Sequence, residues 1–505
     1  MSDSVSPRSL RKLLAGFGAP APDVEVSGIE MDSRRVSPGD LFLACKGGGT
    51  HGLAHLEQAL ERGAAAVAWE PAQGWPQPEI GVPEIAIEQL SSRAGRIAAR
   101  YYGEPSQRMY VCGVTGTDGK TSTAHLIAQA LDRLGTRCAY VGTLGSGYVD
   151  ALAKGARTTP DPVSLQKQLA HFVEMGAQAT AMEVSSHALH QERTAGMKFD
   201  TAILTNVTRD HLDYHGTVEN YAAAKRKLFE REELSALVLN RDDATGARWL
   251  QEFSERPVIA YGIDGDVPKA GRHVIVRKLR AHAGGLSFDI DSSWGALHIE
   301  SRLLGRFNAY NLSAALAAIL HRGLVTEKVA AALAQASTVP GRIEGFRGPA
   351  ARPLVVVDYA HTPEALAQVL TAVRAHTAKK LWCVFGCGGD RDRGKRPLMG
   401  AAAARHADQL IVTDDNPRSE KPAAITAEIL AGLSRGTAHR VIHDRAEAIR
   451  TAVSEAQADD VVVVAGKGHE AEQIYGTEVR PFSDRHFVAG LVGAPTPGGG
   501  ARWNA

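Results

Sequence analysis

Val111-Cys-Gly-Val-Thr-Gly-Thr-Asp-Gly-Lys-Thr-Ser-Thr123 decides the fold, because it reads as a strand, a glycine-rich turn and the first turn of a helix. Met109 to Val114 is a short apolar run of strand type, and Ile127, Leu131 and Leu134 repeat at helical spacing until Gly135 closes the segment. Gly113, Gly116 and Gly119 admit backbone angles and close approaches that a side chain would block, so amide groups and a helix N-terminus can surround phosphate oxygens. Lys120 adds positive charge, and the hydroxyl of Thr121 or Ser122 can hold Mg2+. Gly116, Thr117, Asp118, Gly119, Lys120, Thr121 and Ser122 are therefore nucleotide-binding candidates. The strict phosphate-loop spacing would need glycine where Val114 stands, so the pattern is a variant. A chance Gly-Lys-Thr in a loop is the alternative; the strand before it and the helix after it favour a nucleotide.

Outward from this stretch, strands alternate with helices from Arg108 to about Gly341, the pattern of a mainly parallel sheet covered on both faces. Asp161 and Pro162 fit the cap and first position of a helix carrying Leu165, Leu169 and Phe172, closed by Gly176. A strand from Thr180 to Val184 delivers Glu183-Val-Ser-Ser-His187 to its carboxyl end, where open α/β sheets bind ligands. The strand Thr201 to Leu204 empties likewise into Thr205-Asn-Val-Thr-Arg-Asp-His-Leu-Asp-Tyr-His215. Towards the N-terminus, a loose lead-in with a short helix at Leu10 to Leu14 precedes a small α/β module that ends at Gly103-Glu-Pro105. Towards the C-terminus, Leu354 to Val357, Leu381 to Phe385, Leu410 to Thr413 and Val461 to Ala465 are strands of a third, doubly wound, Rossmann-like domain. Gly386-Cys-Gly-Gly389 follows a strand in dinucleotide style, but Arg391 occupies the last glycine position, which argues against a nicotinamide cofactor. The expected division is α/β throughout: 1–105, a central P-loop-type domain over 106–341, a C-terminal domain over 342–492, and a Gly- and Pro-rich disordered tail over 493–505.

The 505 residues suit roughly three domains. Apolar content of 44% with 22% charged residues describes a globular chain, and a net charge of +1 gives bulk electrostatics no hold on nucleic acid. The cysteines are odd in number, Cys45, Cys112, Cys138, Cys383 and Cys387, and mostly sit in apolar runs, as reduced thiols do; Cys383 and Cys387 lack the second pair a zinc site needs. The N-terminus lacks the apolar core of a signal peptide, and no apolar run approaches spanning length, so no membrane association and a cytoplasmic location are expected.

Asp210, His211, Asp213 and His215 fall within a few residues and permit two readings, a transition-metal site or a Mg2+ site completed by Glu183 and by phosphates bound at Lys120 and Thr121. A nucleotide cradle nearby favours Mg2+, with His211 as its nitrogen ligand; helix capping is the bland alternative for Asp213 and His215. Tyr221, Lys225 and Leu228 share one helical face that should meet the core, which misplaces a lysine. It either snorkels to water or is buried with a lowered pKa, leaving a neutral amine able to take up CO2 as a carbamate.

Gly113-Val-Thr-Gly-Thr-Asp-Gly-Lys-Thr121, Glu183-Val-Ser-Ser-His-Ala-Leu189, Asp210-His-Leu-Asp-Tyr-His-Gly216, Tyr221-Ala-Ala-Ala-Lys-Arg-Lys-Leu-Phe229, Asn308-Ala-Tyr-Asn311 and Asp358-Tyr-Ala-His-Thr-Pro363, in this order, resemble the Mur ligases. These are three-domain, ATP-dependent, amide-forming enzymes of peptidoglycan precursor synthesis. The resemblance runs from Asp32 to about Phe487 and is strongest to members that add the third amino acid to UDP-N-acetylmuramoyl-L-alanyl-D-glutamate. It implies that the N-terminal module holds the uridine nucleotide, with Ser33, Gly48, Gly49 and Thr50 near uracil and diphosphate, and that Thr158, Thr159, Ser185, Gln191 and Arg193 bind the muramoyl dipeptide. It places Asn308, Asn311, Arg342 and Asp358 around ATP and makes Lys225 a carbamylated lysine. Lys120, Glu183, His211 and Lys225 become the catalytic set, with Thr121, Glu183, His211 and the Lys225 carbamate as ligands of Mg2+, two ions in all. Asp118 stands where many members have asparagine.

Asp415-Asn-Pro-Arg418 at the end of the strand Leu410 to Thr413 resembles the loop of diaminopimelate-adding members, whereas lysine-adding members differ at Arg418. Arg391 and Arg418 are then expected on the distal carboxylate of meso-diaminopimelate, Glu470 and the Gly466 backbone on its ammonium group, and Asp415, Asn416 and Pro417 as further residues binding this amino acid. The implied small-molecule substrates are ATP, the UDP-muramoyl dipeptide and meso-diaminopimelate, acted on by a monomer whose C-terminal domain closes over the central one. L-lysine as third amino acid is the alternative substrate, and a nucleotide-dependent switch or phosphotransferase the alternative class. Folylpolyglutamate synthases share the central motifs but lack such a first domain.

Overall fold

The computed structural model describes residues 7–18, 20–267, 271–348 and 352–495. They form two compact units: the described residues of Met1–Tyr261, Pro268–His273 and Ala317–Leu324, and those of Gly262–Val267, Val274–Leu316 and Val325–Ala505. The expected disordered tail lies outside the described residues from 496 onward. Just before it, Gly493 ends the last helix in the left-handed conformation, φ 74°.

The first unit contains two larger sheets besides the short antiparallel pair Arg8–Ser9 and Glu25–Val26. Its N-terminal sheet is four-stranded and parallel, in the order β1 (Gly28–Glu30), β2 (Asp40–Ala44), β3 (Ala66–Trp69) and β4 (Glu84–Ala86). Helix α1 (Leu90–Tyr101) packs Leu90, Ala94, Ile97 and Ala98 into this core, as the apolar face of an amphipathic helix should. The second sheet is built around β5 (Tyr110–Thr115), which the glycine loop joins to α2 (Lys120–Arg133). Its other strands are β6 (Cys138–Gly142), β7 (Gly145–Tyr148), β8 (Ala151–Ala153), β9 (Ala179–Glu183), β10 (Thr201–Leu204), β11 (Ala236–Asn240) and β12 (Val258–Ile263). Their order is β8-β7-β6-β9-β5-β10-β11-β12, parallel apart from the antiparallel β6–β7 and β7–β8 pairs at one edge.

Register positions the chemistry. Val114 pairs with Glu183 on one side and Ile203 on the other, so the chain leaves β5, β9 and β10 at the same level and their loops meet at one carboxyl edge. Helix α3 (Pro162–Glu174) starts as its sequence dictates, with Asp161 accepting Ser164 N at 2.9 Å and Pro162 opening the first turn. Its residues Leu165, Leu169 and Phe172 bury against Val111, Val141 and Met182 of the sheet. Gly113 lies inside β5, beneath the loop rather than in it. A Cβ there would come 2.8 Å from the Phe199 ring, so packing against the core, not phosphate, explains this glycine.

The second unit departs from the expected βα alternation over 272–301. Strands β13 (Arg272–His282), β14 (Gly285–Ser292) and β15 (Leu297–Ser301) form an antiparallel meander with a bulge between Arg277 and Arg280. Leu286, Phe288 and Ile290 alternate inward on β14, and turns containing Gly284 and Gly295 reverse the chain too tightly for a crossover helix. Helix α4 (Phe307–His321) follows. The C-terminal sheet consists of β16 (Glu344–Phe346), β17 (Leu354–Asp358), β18 (Leu381–Phe385), β19 (Gln409–Val412), β20 (His439–Val441) and β21 (Val461–Ala465), in the order β16-β17-β21-β18-β19-β20. Only β16 is antiparallel to its neighbour. The loops after β17, β21, β18 and β19 therefore emerge side by side. Among the described residues no helix is long and apolar enough to cross a membrane.

Candidate active site

Gly116, Thr117, Asp118 and Gly119 turn the chain from β5 into α2, and the neighbouring strand end holds the turn by its backbone. Thr117 N donates to Asn206 O at 2.9 Å, Asp118 N to Asn206 Oδ1 at 3.0 Å, and Thr205 Oγ1 to Asp118 O at 2.6 Å. Gly116 has φ +149°, and a Cβ there would lie 1.8 Å from Thr205 Oγ1, so no other residue fits. Lys120 Nζ curls back to donate to Gly116 O at 2.9 Å and Thr117 O at 2.7 Å; burial, opposed by Glu183, lowers its pKa. The Asp118 side chain is exposed while its backbone carries the clamp.

Glu183, fully buried at the end of β9, is the hub of the floor. Its Oε1 accepts from Tyr140 OH at 2.5 Å and Thr143 N at 2.7 Å, and its Oε2 from Thr121 Oγ1 at 2.8 Å. A carboxylate and a hydroxyl oxygen side by side at a helix N-terminus are hard donors and fit Mg2+. Among the described residues no group of three or more His, Cys, Asp or Glu gathers to hold a metal. His211 and Asp213 are exposed and Asp210 is half-buried, and His211 stands in the left-handed region (φ 51°) with Nε2 3.4 Å from Asp210 Oδ2. His215 turns inward, 3.1 Å from Ser186 Oγ. The cap of helix α5 (Val218–Phe229) is Thr217, whose hydroxyl accepts Asn220 N at 3.1 Å; neither Asp213 nor His215 caps it.

Lys225 does not snorkel. It is 1% exposed, as are its face-mates Tyr221 and Leu228 to within 1%, and its Nζ donates to Gly116 O at 2.8 Å while lying 4.2 Å from the Tyr221 ring centroid. Burial, reinforced by Lys120, lowers its pKa to about 6, so at neutral pH the amine is largely uncharged. Beside these groups, Thr159 Oγ1 donates to Glu183 O at 2.9 Å and accepts from Ser185 N at 3.2 Å, while Thr158 Oγ1 lies 3.1 Å from Thr143 Oγ1. Arg193 spans Thr159 O at 3.0 Å and Gln191 Oε1 at 2.6 Å. Beside the N-terminal sheet, Ser33 Oγ donates to Gln58 Oε1 at 2.7 Å and Gly47 N to Thr50 O at 2.9 Å. Among the described residues nothing lies within 4 Å of a Cβ built on Gly48 or Gly49.

In the second unit Asn308 donates to Leu304 O at 2.8 Å and accepts from Asn311 at 2.9 Å. Asp358, buried with its pKa raised, receives Ile343 N and Ala360 N, both at 2.7 Å, and Arg342 lies over the Tyr359 ring at 5.2 Å. The loop after β19 is pinned at Arg418, whose N donates to Ile474 O and whose Nη1 donates to Gly389 O, both at 2.9 Å. Arg391 and Arg418 flank Gly388: a Cβ there would lie 2.9 Å from Arg418 Nη1 and 3.7 Å from Arg391 Cγ. Glu470 Oε2 accepts from Asn416 Nδ2 at 3.1 Å and from Lys467 Nζ at 2.9 Å; Asp415 Oδ2 sits 2.7 Å from a Cβ on Gly466, which has φ +113°.

Three family descriptions match along the chain: Mur ligase family, catalytic domain, over 25–102; Mur ligase middle domain over 114–319; and Mur ligase, glutamate ligase domain, over 341–468. The UDP-N-acetylmuramoyl-L-alanyl-D-glutamate–2,6-diaminopimelate ligase of Alkalilimnicola ehrlichii is 50% identical over 482 residues, 94% of this chain and 96% of that protein. The Chain belongs to the Mur ligase family. The ligase of the same name from Coxiella burnetii is 46% identical over 463 residues, covering 92% of this chain and 94% of its own. A solved ligase of that name superposes with a TM-score of 0.79 at 36% identity, over 97% of this chain and 99% of its own.

As in any Mur ligase, the chemistry is ATP-dependent ligation. Of the dipeptide-binding candidates, Thr159, Ser185, Gln191 and Arg193 are joined by hydrogen bonds, and of the amino-acid candidates Arg391, Asn416 and Arg418 lie around Gly388 while Glu470 is tied to Asn416. Sequence reasoning missed the residues that hold them: Tyr140 and Thr143 on Glu183, Thr205 and Asn206 on the glycine loop, and Lys467 on Glu470. Thr205 and Asn206 had a signal, since they directly follow a strand paired with β5.

Proposed function

We propose that the protein is an ATP-dependent carbon–nitrogen ligase that joins meso-diaminopimelate to UDP-N-acetylmuramoyl-L-alanyl-D-glutamate in peptidoglycan precursor synthesis, acting in the cytoplasm as a monomer. The observation that carries this reading is the arginine pair flanking Gly388, in a chain whose relatives are named for an amino acid with a second carboxylate. Residues 1–105 take the uridine nucleotide, 106–341 the ATP, and 342–492 the amino acid. Gly48 and Gly49, exposed and with open space where a Cβ would stand, leave backbone free to approach a diphosphate.

The D-glutamyl side-chain carboxylate attacks the γ-phosphorus, forming an acyl phosphate as the bond to ADP breaks. Lys120, with Nζ over the turn, follows the charge on the transferring group. Thr121, Glu183, His211 and Lys225 as its carbamate would hold Mg2+, which when bound neutralises charge on the phosphoryl oxygens. Arg193 and Thr159 orient the dipeptide, and Arg391, Arg418 and Glu470 orient the incoming amino acid. Its neutral amine then attacks the acyl carbon, phosphate leaves with the bonding pair, and the ammonium proton of the adduct passes to solvent. Positioning supplies most of the rate in such a reaction. Phosphate release from purified enzyme should require ATP, the UDP-muramoyl dipeptide and meso-diaminopimelate together. Equal turnover of L-lysine would favour the lysine-adding reading, and ADP release without either cosubstrate the switch or phosphotransferase reading.

A further inference from the structure

The loops bearing Arg391 and Arg418 are interlocked. Gly389 N donates to Asn416 O at 2.9 Å, Asp390 N to Glu420 Oε1 at 2.7 Å, and Ser419 Oγ to Asp390 Oδ1 at 2.6 Å. Asp390 and Arg418 both take left-handed backbone, φ 53° and 51°, which persists only where surroundings enforce it. Beneath both loops, the Arg396 side chain is 0% exposed in the first turn of the helix Lys395–His406. Its Nη1 donates to Glu420 Oε2 at 2.9 Å and Glu428 Oε2 at 2.8 Å, and its Nη2 to Glu420 Oε1 at 2.7 Å and Gly388 O at 3.2 Å. Its Nε has no partner among the described residues. A buried ion pair of this kind is a poor source of stability, since well-packed apolar side chains of similar volume do as well or better. What it uniquely does here is join Gly388, the residue flanked by the two arginines, to Glu420, which holds Asp390.

We infer that Arg396 is a specificity-positioning residue, which sets the spacing of Arg391 and Arg418 and so the recognition of the far carboxylate of the amino-acid substrate. The inference rests on the function proposed above. Arg396 touches no substrate. A planar guanidinium can hold two carboxylates and a carbonyl in one plane, and a lysine ammonium cannot reproduce that fork, so Arg396→Lys keeps the charge and loses the geometry. Ser419→Ala removes the hydroxyl bond to Asp390 at an exposed site and so loosens the contact between the loops, leaving the backbone bond from Ser419 N and the Arg396 side chain in place.

The test is steady-state kinetics of Arg396→Lys and Ser419→Ala with each substrate varied in turn. Both variants should raise KM for meso-diaminopimelate, by about 10- to 100-fold for Arg396→Lys, and lower its preference over L-lysine. KM for ATP and for the UDP-muramoyl dipeptide, and kcat at saturating meso-diaminopimelate, should stay near wild type. Should Arg396→Lys not fold, Ser419→Ala and Glu420→Gln carry the same comparison. A folded variant set with unchanged KM for meso-diaminopimelate overturns the inference, as does a parallel loss with all three substrates, the mark of a merely structural residue. Wild-type enzyme that fails to use meso-diaminopimelate refutes the proposed function instead, so the two failures are distinct.

Discussion

Replacing Arg418 by alanine should remove discrimination at the far end of the amino acid without unfolding the domain. The backbone contribution survives the change: Arg418 N still reaches Ile474 O, and the left-handed φ of 51° burdens alanine as it burdens arginine. The loss is therefore the guanidinium, of which Nη1 is tied to Gly389 O at 2.9 Å beside Gly388, the residue it flanks with Arg391. One charge-assisted hydrogen-bonding partner contributes about 1.5 to 3 kcal/mol, a roughly 10- to 150-fold change in selectivity. Wild type should reject L-lysine strongly, because that substrate leaves both arginines unmatched. The assay is kcat/KM for meso-diaminopimelate and L-lysine in competition, for wild type and Arg418→Ala, with KM for ATP as control. An unchanged preference in Arg418→Ala would refute the assignment, and so would wild-type enzyme that adds both amino acids equally well.

Lys120→Ala should lower kcat by about 100- to 1,000-fold while leaving UDP-dipeptide affinity nearly intact; calorimetry showing comparable loss of nucleotide and dipeptide binding would count against the separation of the two sites. Lys225→Ala should be inactive and partly rescued by short carboxylic acids, and 13C-bicarbonate NMR of wild type should show a carbamate; full activity of the variant or an unmodified amine in a loaded crystal would sink the carbamate. His125, buried in α2 with its pKa lowered by desolvation from 6.5 to about 4, stays neutral in the folded protein while the unfolded chain protonates. The unfolded state binds more protons between those two values, so stability should fall as pH drops through this window, by up to about 3 kcal/mol. Urea unfolding at both ends of the window should show that slope flattened in His125→Gln.

Local rules carried much of the fold because they are local. Asp161 and Pro162 announce a helix start wherever they fall, and the i, i+4, i+7 spacing of Tyr221, Lys225 and Leu228 fixes a buried face whatever lies opposite. The antiparallel meander was not legible, since alternation in β14 is compatible with either direction of pairing until the turns are seen closing it. In the site, groups that touch ligands sit in glycine-rich or polar loops and stand out. Their supports do not: Tyr140 looks like an ordinary strand aromatic, and Lys467 and Arg396 like solvated charges, until the fold buries them against Glu470, Glu420 and Glu428. Long-range partners leave no spacing in the chain to read.

All five cysteines are free thiols, and four are buried: Cys112 and Cys138 in the first unit, Cys383 and Cys387 in the second. Burial pushes Cys112 and Cys387 up to about 12 and the others higher still, so little reactive thiolate exists in the native state. The protein thus carries a matched pair of silent reporters in each half. Under graded denaturant, the rate at which each pair becomes alkylated measures the opening of its own half, without introducing any probe.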